Sequence, residues 1–401
     1  MILGYTKDFD MVLFYTACVL VCMSVVFSYS LSVYVVEYLG FGQFHFFIRQ
    51  LLFGVLGILI MYRLALIEPS LYFDTIGTYL FVFMFVVLAI MPFLPDFLVT
   101  QTLGAKRWIR VFGFSVAPVE FFKVGYAYFL ARSFNKNLLK TKKHMSITDE
   151  MKLYIPYLLL FLLLVPIIAL AQKDFGQLVV LLVMTFVMLM FANRSYRIFV
   201  FLGVFGIATM LFLILIAPHR INRIYGWWSM VQDSVLSFAP SFVANALRIE
   251  NYPEPYQVGH SLNAIYHGGY FGTGLSDGIL KMGYLSEVHT DFVLAGISEE
   301  IGFFGLFVVV GILMFLIQRV FRISRMIGNP KYHLFTLGVG LLIALPLLIN
   351  FGGITGIIPI KGIAVPFISY GGSSMISMCI AIGMVLSISR NLKPKDKDEV
   401  Y

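Results

Sequence analysis

An all-α polytopic membrane protein of about ten transmembrane helices is what this sequence predicts, and three observations carry the prediction. Of its 401 residues, 60% are hydrophobic and only 12% are charged. Soluble domains carry about 25% charge, so half the usual solvating surface is missing. The mean hydropathy is +0.89, and the apolar residues gather in runs of about 20, the length that crosses a hydrocarbon core. These runs lack the period-2 alternation of a barrel strand, which makes helices the expected element. A water-soluble enzyme, a nucleic-acid binder and a disordered scaffold are excluded on the same arithmetic.

The apolar windows fall at 11–36, 45–66, 77–98, 117–133, 154–171, 175–192, 198–217, 291–318, 333–357 and 363–389. The fourth is the weakest, being short and interrupted by Glu120 and Lys123. The whole chain, 1–401, reads as one integral membrane domain with a long loop at 218–290 and a polar tail at 390–401. Lys7 is followed by Asp8, Asp10 and an apolar run too long for a signal-peptide core, so no cleaved leader is expected. Cys18, Cys22 and Cys379 all lie inside apolar runs and read as packing residues. No Cys/His cluster has metal-ligand spacing.

Basic residues set the orientation. Arg132, Lys136, Lys140, Lys142 and Lys143 follow the fourth window, and Arg194 and Arg197 follow the sixth. Arg319, Arg322, Arg325 and Lys331 follow the eighth, and Arg390, Lys393, Lys395 and Lys397 follow the last. With ten spans all four segments share one side, and the positive-inside rule makes it cytoplasmic, with both termini inside. The net charge of +8 then reads first as anchoring against anionic headgroups. Cations on the other side are informative: Lys106, Arg107 and Arg110, Lys173, Arg220 and Arg223, Lys281 and Lys361. They suit either an anionic ligand on the outer face or ordinary headgroup solvation. Trp227 and Trp228 fit an interfacial belt, and the glycine-rich and apolar stretch from Tyr256 onward favours a functional loop.

Several residues can carry chemistry. Asp291 stands where the long loop re-enters the bilayer and can act as a general base if burial raises its pKa. The competing reading is that Thr290 or Asp291 caps the following helix, which would lower that pKa. Asp174, at the start of the sixth window, has the same two readings. Glu120 and Lys123, three apart on a helix, form either a buried ion pair or a ligand site. Glu299 and Glu300 require protein or water around them. The glycines of Gly268-Gly269-Tyr270-Phe271-Gly272-Thr273-Gly274 follow no strand, so close packing or turning is preferred to a phosphate loop. The run from Pro366 to Ser374, with Ser369, Gly371, Gly372 and Ser373, breaks the start of the tenth window and implies a cavity beside it.

Together these stretches resemble, over most of the chain, the SEDS family of bacterial membrane proteins (shape, elongation, division and sporulation). Gly104-Ala105-Lys106-Arg107-Trp108 is similar to the family's G-x-x-RW segment. Pro118, Glu120 and Lys123 match its Q-P-S-E-x-x-K helix, with Ala117 and Val119 departing. Asp174-Phe175-Gly176 matches P-D-x-G-T, with Lys173 and Gln177 departing. Gln257, Ser261, Gly268-Gly269, Gly272, Gly274 and Lys281 follow the long-loop pattern, with His260 where Gln is usual. Glu287 and His289-Thr290-Asp291-Phe292 match P-E-x-H-T-D-F, with Ser286 replacing the Pro. Pro359, Lys361-Gly362 and Pro366 to Ser374 match P-x-K-G-x-x-x-P-F-I-S-Y-G-G-S-S. Lys281 and Lys361 resemble the division branch more than the elongation branch.

The resemblance implies a peptidoglycan glycosyltransferase of the bacterial cytoplasmic membrane that polymerises lipid II, in division branches at the septum. It implies Asp291 as the catalytic carboxylate. Its partners would be a class B penicillin-binding transpeptidase and a complex of small bitopic division proteins, with no nucleic acid. Arg107, Lys106 and Lys361 are then the leading pyrophosphate partners, with Arg220 and Arg223 behind them. Trp108, Glu120, Lys123, Asp174, Gln257, Ser261, Lys281, Glu287, His289, Thr290, Ser369 and Ser373 complete the expected substrate site. No cofactor is singled out by these residues, and pyrophosphate chemistry leaves room for a divalent cation such as Mg or Mn. A lipid II flippase, an elongation-type polymerase and a non-catalytic division scaffold are the alternatives.

Overall fold

The computed structural model describes residues 9–102, 104–111, 113–137, 147–192, 196–249, 252–253, 255–285 and 287–392. Lys140, Lys142, Lys143, Arg194, Ser286, Lys393, Lys395 and Lys397 therefore lie outside the described residues. In chain order come α1 (Met11–Ser30), the short α2 (Val33–Tyr38), α3 (His45–Leu66) and α4 (Pro69–Ile90). Strands β1 (Val99–Thr102), β2 (Ala105–Val111) and β3 (Phe114–Val116) follow. Next are α5 (Pro118–Asn137), α6 (Ile147–Leu164) with a π-helical continuation Val165–Ala171, α7 (Phe175–Phe191) and α8 (Tyr196–Leu215). The long loop holds α9 (Pro218–Leu236), α10 (Ser241–Leu247) and α11 (Tyr256–Gly268), and α12 (Val293–Met326), α13 (Pro330–Ile354) and α14 (Gly372–Ser389) close the chain.

Every apolar window holds a helix, the shortest being α7 with 17 residues. Among the described residues seven helices are both long and apolar enough to cross a membrane. The α8–α9 pair, bent by 99°, makes an eighth if counted as one span. Seven or eight of the expected ten thus meet these criteria among the described residues. α7 is short, and α5 is polar but wrapped by its neighbours, with Lys123, Tyr126 and Phe134 all buried. Windows and helices also differ at their ends. Pro69 starts the third long helix eight residues before its window, and α14 begins only at Gly372, beyond the irregular Pro366–Tyr370 stretch. The best windows of α13 and α14 are each 72% buried against 22% for α4, so α13 and α14 form the centre and α4 faces lipid.

One end of the bundle is tied by charges. Asp10 caps α1 by accepting from the Leu13 N–H and pairs with Arg319 at 2.8 Å, while its own N–H donates to Ser389 Oγ. The described chain therefore begins and ends on the same side. Lys331 pairs there with Asp74 at 3.0 Å.

The opposite end carries an element the sequence reading did not foresee, an antiparallel sheet in the order β1-β2-β3. Val99 pairs with Ile109 and Ile109 with Val116, and the register shifts between Thr100 and Gln101. A glycine at positive φ, Gly104 or Gly113, turns each hairpin. The short apolar–polar alternation around those glycines was the available signal.

The long loop is ordered by the helix it precedes. α12 is kinked at Gly302 (φ 69°), which frees backbone groups inside the membrane. The glycine stretch satisfies them: the N–H groups of Thr273 and Gly274 donate to the carbonyls of Glu299 and Glu300, both at 3.0 Å. Phe303 and Phe304 donate in return to the carbonyls of Gly269 and Tyr270. A Cβ on Gly272 would lie 2.2 Å from the Glu300 carbonyl oxygen, so close backbone approach is what these glycines permit. The irregular stretch before α14 is likewise satisfied by protein. Ser24 donates to the Ile368 carbonyl, Ser369 accepts from the Val365 N–H, and Gln50 accepts from the Gly371 N–H. The cavity expected beside α14 is not needed to explain it.

Candidate active site

The loop before α12 decides between base and cap. Phe292 is the N-cap of α12 and makes no side-chain cap bond. The Thr290 hydroxyl donates to the Glu287 carboxylate at 2.9 Å and to the Glu287 carbonyl. Among the described residues no hydrogen bond reaches the Asp291 carboxylate, so the capping reading fails. Asp291 is half-buried, and burial pushes its carboxyl up to about 7, with the carboxylates of Glu287 and Asp174 pushing the same way. Arg107 and Arg223 pull it down. One face of the carboxylate is fixed by Gly362, where a Cβ would lie 2.3 Å from Asp291 Oδ2.

Two other segments bring cations to this carboxylate, β2 with Arg107 and α9 with Arg223, and a third carries Lys361 beside Asp174. Arg107 comes from β2, its Nε and Nη2 donating to the carbonyls of Gln172 (2.8 Å) and Lys173 (2.9 Å). That fork fixes the turn before α7 and leaves the guanidinium beside Asp174 and Asp291. Asp174 itself is the N-cap of α7, accepting from the Gln177 N–H. Burial raises its carboxyl above the ordinary range, against Arg107 and Lys123.

Lys361 lies 4.3 Å from the Phe175 ring centroid, and the Arg220 guanidinium lies over the same ring at 4.9 Å. Burial, with Arg223 and Arg220, lowers the Lys361 ammonium to about 8. Arg220 is buried and donates to the carbonyls of Leu213 and Ala169, so it fastens α9 beneath the cluster. Arg223 is exposed.

The remaining expected residues divide. His289 is buried between the rings of Phe46 and Tyr370, its carbonyl accepts from the Tyr370 N–H, and burial lowers its imidazole. Its Nδ1 has no partner among the described residues. Ser369 donates to the Thr290 carbonyl at 2.6 Å, holding the acidic turn against the stretch before α14. Glu120 and Lys123 are an ion pair at 2.9 Å, with Gln177 donating to Glu120. Ser373 accepts from the Ala117 N–H, and buried Ser261 donates to the Ile354 carbonyl. Gln257 is half-buried on α11, and Glu287 is exposed beside Thr290.

Three expectations need correction. Lys106 and Trp108 lie on the face of β2 opposite Arg107, because strand side chains alternate. Lys106 is neutralised by Asp96 at 3.1 Å and donates to the Leu94 carbonyl. Lys281 is buried in an ion pair with Glu300 at 2.5 Å and donates to the Ser30 carbonyl, a structural role. Glu299 accepts from the N–H groups of Ile279 and Leu280 and pairs with His267, so protein supplies the surroundings that both glutamates require. Sequence reasoning passed over Phe175, whose ring receives two cations, and Asn350, a polar residue in the middle of an apolar window.

Across residues 10–394 the chain matches the FtsW/RodA/SpoVE family model, described as cell cycle proteins. The chain belongs to that family. It is 44% identical over 387 residues to the probable peptidoglycan glycosyltransferase FtsW of Helicobacter pylori, covering 96% of this chain and 99% of that one. It is 32% identical over 384 residues to the stage V sporulation protein E of Bacillus subtilis, covering 95% and 97%. In fold it is similar to the Thermus thermophilus rod shape determining protein RodA (TM-score 0.63, 20% identity, 96% and 98% covered). A chain from a peptidoglycan synthase complex described as coordinating polymerization and crosslinking is similar at TM-score 0.69 and 20% identity, with 95% and 98% covered. Membership of the FtsW/RodA/SpoVE family makes the chain a multi-pass membrane protein, and the FtsW names of these relatives agree with the division-branch resemblance.

Proposed function

We propose that the chain is a peptidoglycan glycosyltransferase of the division branch that extends glycan strands from lipid II. The observation that carries this reading is the Asp291 carboxylate, without a hydrogen-bond partner among the described residues, half-buried and raised to about 7 near Arg107 and Arg223, with Lys361 on the segment that follows them in the cluster. An acceptor hydroxyl attacks the anomeric carbon of the donor sugar and passes its proton to an Asp291 oxygen. The bond from that carbon to the phosphate oxygen breaks, and its electron pair leaves with the polyprenyl pyrophosphate. The cations of Arg107, Arg223 and Lys361 stabilise that charge, and oriented binding supplies the rest. Among the described residues no three His, Cys, Asp or Glu side chains form a metal cage.

In this reading the sheet, the α9–α11 loop and the charge cluster face outward, and the end holding Asp10, Arg319, Arg325 and Lys331 faces the cytoplasm. The membrane is the bacterial cytoplasmic membrane, at the septum during division. The partners are a class B penicillin-binding transpeptidase and small bitopic division proteins, which affinity capture of the full chain from membranes would recover.

Polymer formation in vesicles carrying outward-facing lipid II tests the function. Chains of glycan support it, whereas lipid II movement across the bilayer without polymer overturns it in favour of a flippase. The pH profile tests the assignment of groups. kcat/KM rises as Asp291 loses its proton near 7 and falls as Lys361 loses its proton near 8, giving a narrow optimum between them. Lys361→Arg, which keeps its charge, is expected to remove the alkaline fall and leave the acid limb in place.

A further inference from the structure

Asn350 lies near the end of α13, only 2% exposed, and its amide joins two segments that are 72 residues apart in sequence (291 to 363). Its Nδ2 donates to the Asp291 carbonyl at 2.6 Å and to the Ile363 carbonyl at 2.8 Å. Two acceptors on one side of the amide fix its orientation, since only the NH2 group donates. The Oδ1 is buried with no partner among the described residues. A buried amide oxygen left unpaired is destabilising, so packing alone does not favour an asparagine here.

What the amide does supply is a fixed separation. One of its bonds is to Asp291 itself, and the other is to the residue after Gly362, whose Cα abuts the Asp291 carboxylate. Ile363 in turn packs against Gly176, two residues beyond the Asp174 cap. With Ser369 and Arg107, this side chain therefore helps to set how the acidic turn, the Lys361 segment and the α7 N-terminus meet.

We propose that Asn350 is a positioning residue that holds the Asp291 carboxylate at its working distance from Lys361, an inference that rests on the glycosyltransferase reading. The groups that face this carboxylate are Glu287 on its own turn, Asp174 at α7, Arg107 on β2 and Arg223 on α9. Lys361 follows on the segment that Asn350 ties. Loss of the tie changes their distances and so displaces the acid limb of the pH profile.

The test uses the full chain in vesicles with lipid II, comparing Asn350→Ala, Asn350→Asp and Asn350→Ser with Asp291→Asn. Asn350→Ala is expected to lower kcat by about 10²-fold with KM within about threefold, and to move the acid limb. Asn350→Asp, which replaces the donor pair with acceptors facing two carbonyls, is expected to lose at least as much. Asn350→Ser, with one donor, is expected to fall between Asn350→Ala and the parent. Unchanged kcat and acid limb in Asn350→Ala overturn the proposal. So does a loss that tracks a fallen melting temperature with kcat and KM worsening together, because that is a structural role. Full activity of Asp291→Asn instead overturns the underlying mechanism, so the two failures are separate results.

Discussion

Asp291→Asn is expected to abolish glycan polymerisation while leaving the melting temperature and membrane insertion unchanged. A general base contributes about 10²–10⁴-fold, and the amide keeps the volume of the carboxyl while losing its capacity to accept a proton. Because no hydrogen bond holds the carboxylate among the described residues, no fold contact is lost with it. Removing a charge held half-buried beside two other carboxylates also relieves repulsion, so stability is expected to hold or rise slightly. Gly362→Ala is the companion variant: its methyl would meet Asp291 Oδ2 at 2.3 Å and force the carboxylate into another rotamer. Its rate is expected to fall by about 10²-fold with Asp291 still present. Polymer yield from purified lipid II and thermal melting in detergent measure both. Parent-like activity in Asp291→Asn would show that the proton leaves by another group.

The bundle was legible because each apolar window is a local feature, readable by length and hydropathy alone. Its edges were less so, because Pro69 and the Pro366–Tyr370 stretch shift helix ends through backbone constraints that hydropathy does not register. β1–β3 escaped because three short strands add little to a chain dominated by 20-residue runs. At the site, Arg107 and Lys361 were legible as cations standing against the topological bias, and Asp291 as a carboxylate where the long loop re-enters the bilayer. Whether Asp291 caps a helix was not, since capping depends on one φ/ψ pair and one distance. Lys106 and Lys281 looked equivalent to Arg107 by charge. Only strand alternation and the position of Asp96 separate the first, and only the buried Glu300 separates the second. Asn350 was hidden for the opposite reason: an amide in an apolar run shows its purpose only when its acceptors, distant in sequence, are in place.

Lys281→Ala is expected to destabilise the chain severely, by roughly 3–5 kcal/mol, because it strands a buried carboxylate. Both side chains of the Lys281–Glu300 pair are fully buried and 2.5 Å apart. Glu300 also accepts from the Ser30 hydroxyl and from the Ser276 N–H, so α1, the long loop and α12 meet on this one carboxylate. Removing the ammonium leaves that charge in a medium where isolated ions are strongly disfavoured, whereas removing both charges does not. Lys281→Met combined with Glu300→Gln keeps the volume, leaves an amide oxygen to accept from the Ser276 N–H and an NH2 group to donate to the Ser30 hydroxyl, and is expected to recover most of the lost melting temperature. The same pair of measurements separates structure from catalysis. If Lys281 bound substrate, Lys281→Met would keep the parent's melting temperature and lose polymerisation, and the double variant would stay inactive. If it holds the loop onto the kink at Gly302, melting temperature and activity fall together in the single variant and return together in the double.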